Sequence, residues 1–287
     1  MLNKNLFDET KNILKENKIS LKRSLGQNYL IDCFKREKIL DFARLNKNDE
    51  VLEIGSGIGT LSLKIAEKVK KLIAIEQDEK ICNVLKQRID KLGFNNIELI
   101  NKDALSVNFP RFNKAVSNLP YQISSPITFK LLKHDFDLGI LMYQREFGLR
   151  MIGEVNTKNY SRLTAMLHFK ADLEFLDNLS PNSFFPKPKV HSAVIKLIPK
   201  EDKKFRKYEK EYIQVSKALF QHKNKKIRNA LIDSRMILGY DDKEEVYRFL
   251  DKISNRNEID KLLNQRVIKT SPGKIFNLSK RLKPFLK

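Results

Sequence analysis

Only two cysteines, Cys33 and Cys82, occur in 287 residues. They are too few for a disulfide framework, their spacing matches no metal motif, and they fit a reducing compartment. The four histidines, His134, His168, His191 and His222, are scattered, so neither a zinc site nor a histidine-based catalytic cluster has anything to build on. Each reads as a surface or packing residue. No apolar run approaches the ~20 residues of a membrane span, and the stretch MLNKNLFDETKNILKENK is charged throughout, without the apolar core of a signal peptide. A cytoplasmic protein with no metal and no membrane partner is expected. Acidic residues are also scarce: 35 Asp and Glu stand against 56 Lys and Arg, a formal net charge of +21.

The excess is uneven, because residues 200–287 hold 24 basic and 12 acidic residues and so carry more than half of it. A polyanion partner accounts for this, nucleic acid being the commonest. A chain rich in Lys, Asn and Ile throughout is the alternative source of the charge.

Strand and helix patterns alternate. EVLEIGSG (50–57) reads as a buried strand ending in glycines and TLSLKIAEKVKK (60–71) as a helix; KLIAIEQD (71–78) is a second strand and EKICNVLKQRIDKLG (79–93) a helix closed by Gly93. NIELINKDAL (96–105) is a third strand, the run into Asn118 a fourth, and DLGILMYQREF (137–147) a fifth. Ser125 and Pro126 suit the cap and first position of a helix. The alternation predicts a parallel, doubly wound sheet, whose ligands bind beyond the carboxyl ends of the strands. From about residue 200 the pattern turns helical and basic, so a domain of 1–199 and a helical RNA-recognition domain of 200–287 are expected.

Glu53-x-Gly55-x-Gly57-x-Gly59 after a strand is a nucleotide-loop signal, since the backbone there must turn sharply and approach a ligand. Counted from Gly55, the third glycine of a dinucleotide fingerprint is replaced by Thr60, which argues against NAD. Glu76, 21 residues past Gly55, ends the second strand, where a carboxylate can accept from both ribose hydroxyls; Asp103 is a further acceptor at the third strand tip. Either acid alone is equally a helix cap or a solvated strand end. Together with the glycines, they describe an S-adenosylmethionine pocket.

The tetrapeptide Asn118-Leu119-Pro120-Tyr121 follows the fourth strand. The Asn118 side-chain oxygen and the Leu119 carbonyl can accept both hydrogens of an adenine amine and so return its delocalised lone pair to nitrogen. Pro120 holds the turn and Tyr121 can stack on the base. Unstacking an adenine costs a few kcal/mol and each aromatic contact returns about 1–3 kcal/mol, so a second ring is wanted; Phe184 is the candidate, with core packing as its alternative. From Lys217 to Arg228 the basic residues, Lys223, Lys225, Lys226 and Arg228 among them, meet no acid between Tyr212 and Ile232. On a helix, with Phe220 and Leu231 inward, they would form a phosphate-binding face, the alternative being a solvated helix face.

Five segments, SLGQNYL (24–30), VLEIGSGIGTLS (51–62), NLPYQISSPI (118–127), FFPKPKVHSAVIKL (184–197) and LFQHKNKKIRNAL (219–231), together resemble the ribosomal RNA adenine dimethyltransferase family, in order, from about residue 20 to about 231. The resemblance implies a class I S-adenosylmethionine-dependent methyltransferase: a Rossmann-like α/β domain with a seven-stranded, mostly parallel sheet, then a small all-helical domain. It also implies transfer of four methyl groups, leaving S-adenosylhomocysteine, to two adjacent adenosines in a hairpin loop near the 3′ end of small-subunit (16S) ribosomal RNA. The implied partners are that RNA and the immature small ribosomal subunit, in ribosome biogenesis, with the protein acting as a monomer. By motif, Asn28, Leu30, Gly55, Gly57, Glu76, Asp103 and Asn118 would contact the cofactor, and Asn118 to Tyr121 would hold the target amine. YQISSPITFKLL and LMYQREFGLRM are most similar to archaeal members. Tyr29 stands where phenylalanine is usual, and Lys102 where glycine is common. Two other readings on the same fold are a non-catalytic RNA-binding assembly or transcription factor and a large-subunit ribosomal RNA antibiotic-resistance methylase. The first is opposed by intact Glu76, Asp103 and Asn118–Tyr121, the second by SSPI and LFQHKNKKIRNAL.

Overall fold

The computed structural model describes residues 6–21, 26–254 and 257–287. Ser24 and Leu25 of the N-terminal motif lie outside them. The chain divides into two compact units, Met1–Gly148 with Leu173–Pro199, and Leu149–Asp172 with Lys200–Lys287. Residues 149–172 thus group with the second unit, a departure from a single boundary at 200. No helix among the described residues is long and apolar enough to cross a membrane.

In the first unit the strands are β1 (Tyr29–Leu30), β2 (Glu50–Ile54), β3 (Lys71–Glu76), β4 (Ile97–Asn101), β5 (Lys114–Asn118), β6 (Leu138–Gln144), β7 (Ala171–Leu179, entering from the second unit), β8 (Phe184–Phe185) and β9 (Ser192–Pro199). Seven of them form one sheet in the order β4-β3-β2-β5-β6-β9-β7, while β1 and β8 pair separately and antiparallel. Pairings β4-β3-β2-β5-β6 are parallel and β6-β9 is antiparallel. The helices are α1 (Leu6–Glu16), α2 (Cys33–Ala43), α3 (Ser62–Ala66), α4 (Glu79–Leu92), α5 (Ser124–Leu131) and α6 (Arg145–Met151), the last running into the second unit. The sheet is mostly parallel and doubly wound, as the alternation of strand and helix predicts.

The chain enters this sheet at β2, winds outward to β3 and β4, and then crosses back to β5. Between β2 and β5 the strand order reverses, which is where such sheets open a crevice for ligands. The structure shows how the crevice opens. Backbone pairing of β2 with β5 stops at Leu52–Ala115, and the next inward N–H, that of Ile54, donates to the side-chain hydroxyl of Ser117 at 2.9 Å. The strands diverge without leaving a buried donor unpaired. Val51, Leu72, Ala74, Val116, Ile140, Met142 and Val194 of the strands pack with Ile39 and Leu40 of α2 and Ile65 of α3 into one apolar core. Burial of that many aliphatic side chains, each worth about 1.5–3 kcal/mol, fixes the strand tips as a rigid frame.

Local chemistry sets the helix ends. Asp78 caps α4 by accepting from the Lys80 N–H at 3.0 Å, and Gly93 ends it with φ +71°. The predicted helix over 60–71 is shorter, Ser62–Ala66, because Lys71 already begins β3. α5 starts at Ser124, one residue before the predicted cap; Ser124 Oγ donates to the Tyr121 carbonyl, and Ser125 and Pro126 lie inside the first turn.

The second unit is helical: α7 (Arg162–Leu167), α8 (Lys203–Lys207), α9 (Glu209–Phe220), α10 (Ile227–Asp233), α11 (Arg235–Leu238), α12 (Lys243–Ser254), α13 (Asn257–Leu263) and α14 (Pro272–Leu282). Buried hydroxyls tie residues 149–172 into it. Tyr212 donates to the Ala165 carbonyl at 2.9 Å and Tyr160 to the Thr270 carbonyl at 2.7 Å. Phe169 stacks on Phe205 at 4.6 Å between ring centroids.

Candidate active site

One cleft gathers Asn28, Leu30, Gly55, Gly57, Glu76, Asp103, Asn118 and Pro120 at its lining, with Gly59 left outside. The glycine loop works as its residue types require. Gly55 and Gly57 have φ +75° and +57°, a region side chains rarely adopt. A Cβ on Gly55 would stand 3.1 Å from the Pro120 ring and one on Gly57 2.7 Å from the Tyr29 ring. Bare backbone at these two positions therefore lets the 118–121 turn and the N-terminal segment close directly on the loop.

Glu76 is 8% exposed. Its Oε2 accepts from the Gly57 N–H at 2.8 Å and its Oε1 from the Asp78 N–H at 2.9 Å. Each oxygen keeps a lone pair, so the carboxylate can take two neighbouring hydroxyls. Burial raises its pKa above the ordinary value and the two N–H donors oppose that rise. Asp103 lies just past β4; Oδ1 accepts from the Leu105 N–H at 2.8 Å, making it a turn cap with its second oxygen to spare. The loop after it is held by Lys130 of α5, whose ammonium donates to the carbonyls of Ala104, Leu105 and Val107 at 2.7, 3.0 and 2.5 Å.

At the reactive turn, Asn118 Nδ2 donates to the Asn28 carbonyl at 2.7 Å. That bond occupies the amide nitrogen and leaves Oδ1 as an acceptor. Leu119 is 1% exposed and anchors the turn in the core. Pro120 leads into a 3-10 turn, Tyr121–Ile123, closed by the Ile123 N–H on the Pro120 carbonyl at 3.2 Å. The Tyr121 hydroxyl is 2.5 Å from Ser192 Oγ on β9, which fixes the ring, and burial raises its pKa. Tyr121 lines a second depression that shares Gly26, Gln27, Asn28 and Gln122 with the first and adds Gln144, Lys187 and Lys189, among others. The two depressions meet at Asn28 and Gln122, next to Asn118.

Tyr29, Glu53 and Ser56, which the sequence reading did not assign to the site, also line the cleft. Tyr29 OH, Glu53 Oε2 and Ser56 Oγ are buried atoms without a hydrogen-bond partner. Native proteins leave few such atoms, and each costs about 1–3 kcal/mol. Their gathering at one glycine loop fits a ligand bearing hydroxyl, amine and carboxylate groups, as S-adenosylmethionine does. Burial, reinforced by Glu76, pushes the Glu53 carboxyl up to about 8. The signal for Glu53 was its place ahead of the three glycines; for Ser56 and Tyr29 sequence offered only their position inside the motifs.

Phe184 is not a stacking ring. It is 1% exposed, pairs with Leu30 across β1 and β8, and packs in the core with Leu179 and Val194. The expected basic helix from Lys217 to Arg228 is also not formed: α9 ends at Phe220, α10 begins at Ile227, and the residues between form a turn. Phe220 packs on Tyr160 and Leu231 is buried, so their inward placement holds. Lys223 donates to the Lys158 carbonyl, Lys225 pairs with Asp233 at 2.7 Å, Lys226 donates to Asn264, and Arg228 pairs with Asp251 at 2.7 Å. The compensating acids arrive from beyond the stretch in which none occurs.

Comparison with known proteins agrees with this geometry. Residues 18–271 match the family model described as ribosomal RNA adenine dimethylase. A probable ribosomal RNA small subunit methyltransferase A from Methanosphaera stadtmanae is 48% identical over 95% of this chain and 97% of its own length. A protein of the same name from Methanothermobacter thermautotrophicus is 51% identical over 80% of this chain and 81% of its own length. Among solved structures, a dimethyladenosine transferase from Plasmodium falciparum superposes with TM-score 0.78 at 30% identity, covering 89% of this chain and 98% of that one. The 23S rRNA methyltransferase ErmE shares the fold, with TM-score 0.62 at 24% identity over 89% of this chain and 99% of its own. On the extent of the family match and these identities, the chain belongs to the ribosomal RNA adenine dimethylase family.

Proposed function

We propose that this enzyme dimethylates two adjacent adenosines near the 3′ end of small-subunit ribosomal RNA, acting in the cytoplasm as a monomer on the immature small subunit. The observation that carries the reading is the oriented amide of Asn118, with its nitrogen tied to the Asn28 carbonyl and its oxygen left to accept. S-adenosylmethionine supplies an electrophilic sulfonium methyl group. Glu76 takes the ribose hydroxyls, and Asp103 the adenine edge of the cofactor. The target adenine enters beside Tyr121, where Asn118 Oδ1 and the Leu119 carbonyl accept its two amine hydrogens. Its nitrogen forms the new N–C bond as the C–S bond breaks. Asn118 is neutral and takes no proton, so the amine proton leaves to water. Alignment rather than acid–base chemistry is the main contribution, and good orientation can be worth ~7–11 kcal/mol.

Transfer of labelled methyl to small subunits lacking the modification, with naked large-subunit RNA in parallel and nucleoside analysis of the products, tests this. Dimethyladenosine from the small subunit alone is expected; transfer only to large-subunit RNA would favour the resistance-type methylase. Asn118→Ala should lower transfer by at least ~100-fold, about 2.7 kcal/mol, while affinity for S-adenosylhomocysteine falls only a few-fold. Near-normal turnover of that variant would remove the amide from the mechanism.

A further inference from the structure

Lys225 and Arg228 are paired with Asp233 and Asp251, and Lys223 and Lys226 each give one hydrogen bond to an oxygen of the protein. Another part of the second unit carries cations with no such commitment. A groove of about 870 Å³ runs between α13 and α14, walled by Lys261, Lys274, Lys280 and Arg281, with Glu258 its one acid. Ile259 and Leu278 are buried beneath it. Glu258, Lys261 and Leu262 of α13, with Gln265 just past its end, form one side, and Lys274, Asn277, Leu278 and Arg281 of α14 recur at three- and four-residue spacing on the other. Lys274 and Arg281 lie seven residues apart, about 10 Å along the α14 axis at 1.5 Å per residue.

All four basic side chains are exposed. Among the described residues Lys261, Lys274 and Arg281 make no ion pair, and Lys280 lies over the Phe276 ring at 5.0 Å. The groove therefore offers a net charge of about three in a concave surface, where charges of one sign reinforce each other's field. Cations already bound to protein acids gain little by meeting a phosphate; cations bound only to water and counterions gain the release of those counterions.

We propose that the α13–α14 groove binds the phosphate backbone of the RNA substrate, as an affinity element that reads no sequence. This rests on the RNA-directed reading above. The apolar floor gives the long Lys and Arg stems a surface to lie on while their heads reach outward.

The test is binding of a protein-free transcript of small-subunit ribosomal RNA, measured by anisotropy across a salt series. It compares the wild-type chain, the triple variant K261Q/K274Q/R281Q, and a matched-charge variant, K11Q/K86Q/K91Q, at exposed positions of α1 and α4. Each lost phosphate contact flattens the salt slope by about one. The groove variant should lose roughly two to three units of slope and at least ~10-fold in affinity at 150 mM salt, and the matched variant less than one unit. Binding of S-adenosylhomocysteine, equal in all three, shows that the proteins are folded. Equal losses in both variants would overturn the groove and assign affinity to total charge. A groove variant that binds free RNA normally but is weak on assembled subunits would overturn it in favour of a protein contact. Wild-type protein that binds S-adenosylhomocysteine but no RNA would overturn the functional reading as well.

Discussion

Glu53 holds an ionisable carboxyl on β2, two residues ahead of Gly55, where burial pushes it up to about 8 from the ordinary 4.5. Unfolding between those values releases a proton, so this group's contribution to stability is full below about pH 4.5 and is lost as pH rises through 8. Glu53→Gln removes the dependence. The melting temperature of the wild-type chain should fall relative to that of the variant between pH 5 and pH 8.5, and parallel profiles would contradict the burial of an ionisable group there. Gly57 makes a second prediction. Alanine would need φ +57° and would press on the Tyr29 ring, which costs about 1–3 kcal/mol and should lower the melting temperature by several degrees as well as weaken S-adenosylhomocysteine binding. Such positions are legible in sequence because glycine has a local reason to be there. Phe184 was not: a ring in a proline-rich motif looks the same whether it faces a base or the core, and only its pairing with Leu30 decides.

At the scale of elements, strand tips were readable because alternation of strand and helix forces β2, β3 and β5 to deliver their ends to one edge, so Gly55, Glu76 and Asn118 could be brought together without any being adjacent in sequence. What holds the tips in register was not readable. Lys130 is one lysine among many by composition, yet it satisfies three carbonyls of the Asp103 loop. Lys130→Met should therefore weaken S-adenosylhomocysteine binding several-fold with only a small loss of thermal stability; unchanged binding would show that Asp103 is held without it. The turn between α9 and α10 failed for a related reason. Local charge counting sees no acid from Tyr212 to Ile232, while Asp233, one residue past that stretch, and Asp251 of α12 close on Lys225 and Arg228.

For the whole molecule, a charge of +21 makes RNA association steeply ionic. Raising salt from 50 to 200 mM should raise KM for RNA by orders of magnitude and leave the affinity for S-adenosylhomocysteine nearly constant; equal sensitivity of the two would mean that charge acts through folding. The grouping of residues 149–172 with the C-terminal helices was hidden from sequence because it depends on pairs more than forty residues apart, Tyr212 with Ala165 and Tyr160 with Thr270. The pairing of Leu30 with Phe184 has a consequence for synthesis. Together with the Ser183 hydroxyl on Asp32 and the Lys35 ammonium on Asp177, it fastens the wall bearing Asn28 across separations of more than 140 residues, contacts that form late because the intervening chain must first be ordered. A nascent chain still short of β8 carries every glycine and acid of the pocket but no finished wall. Methyl-donor capture thus waits until most of the first unit has left the ribosome that made it.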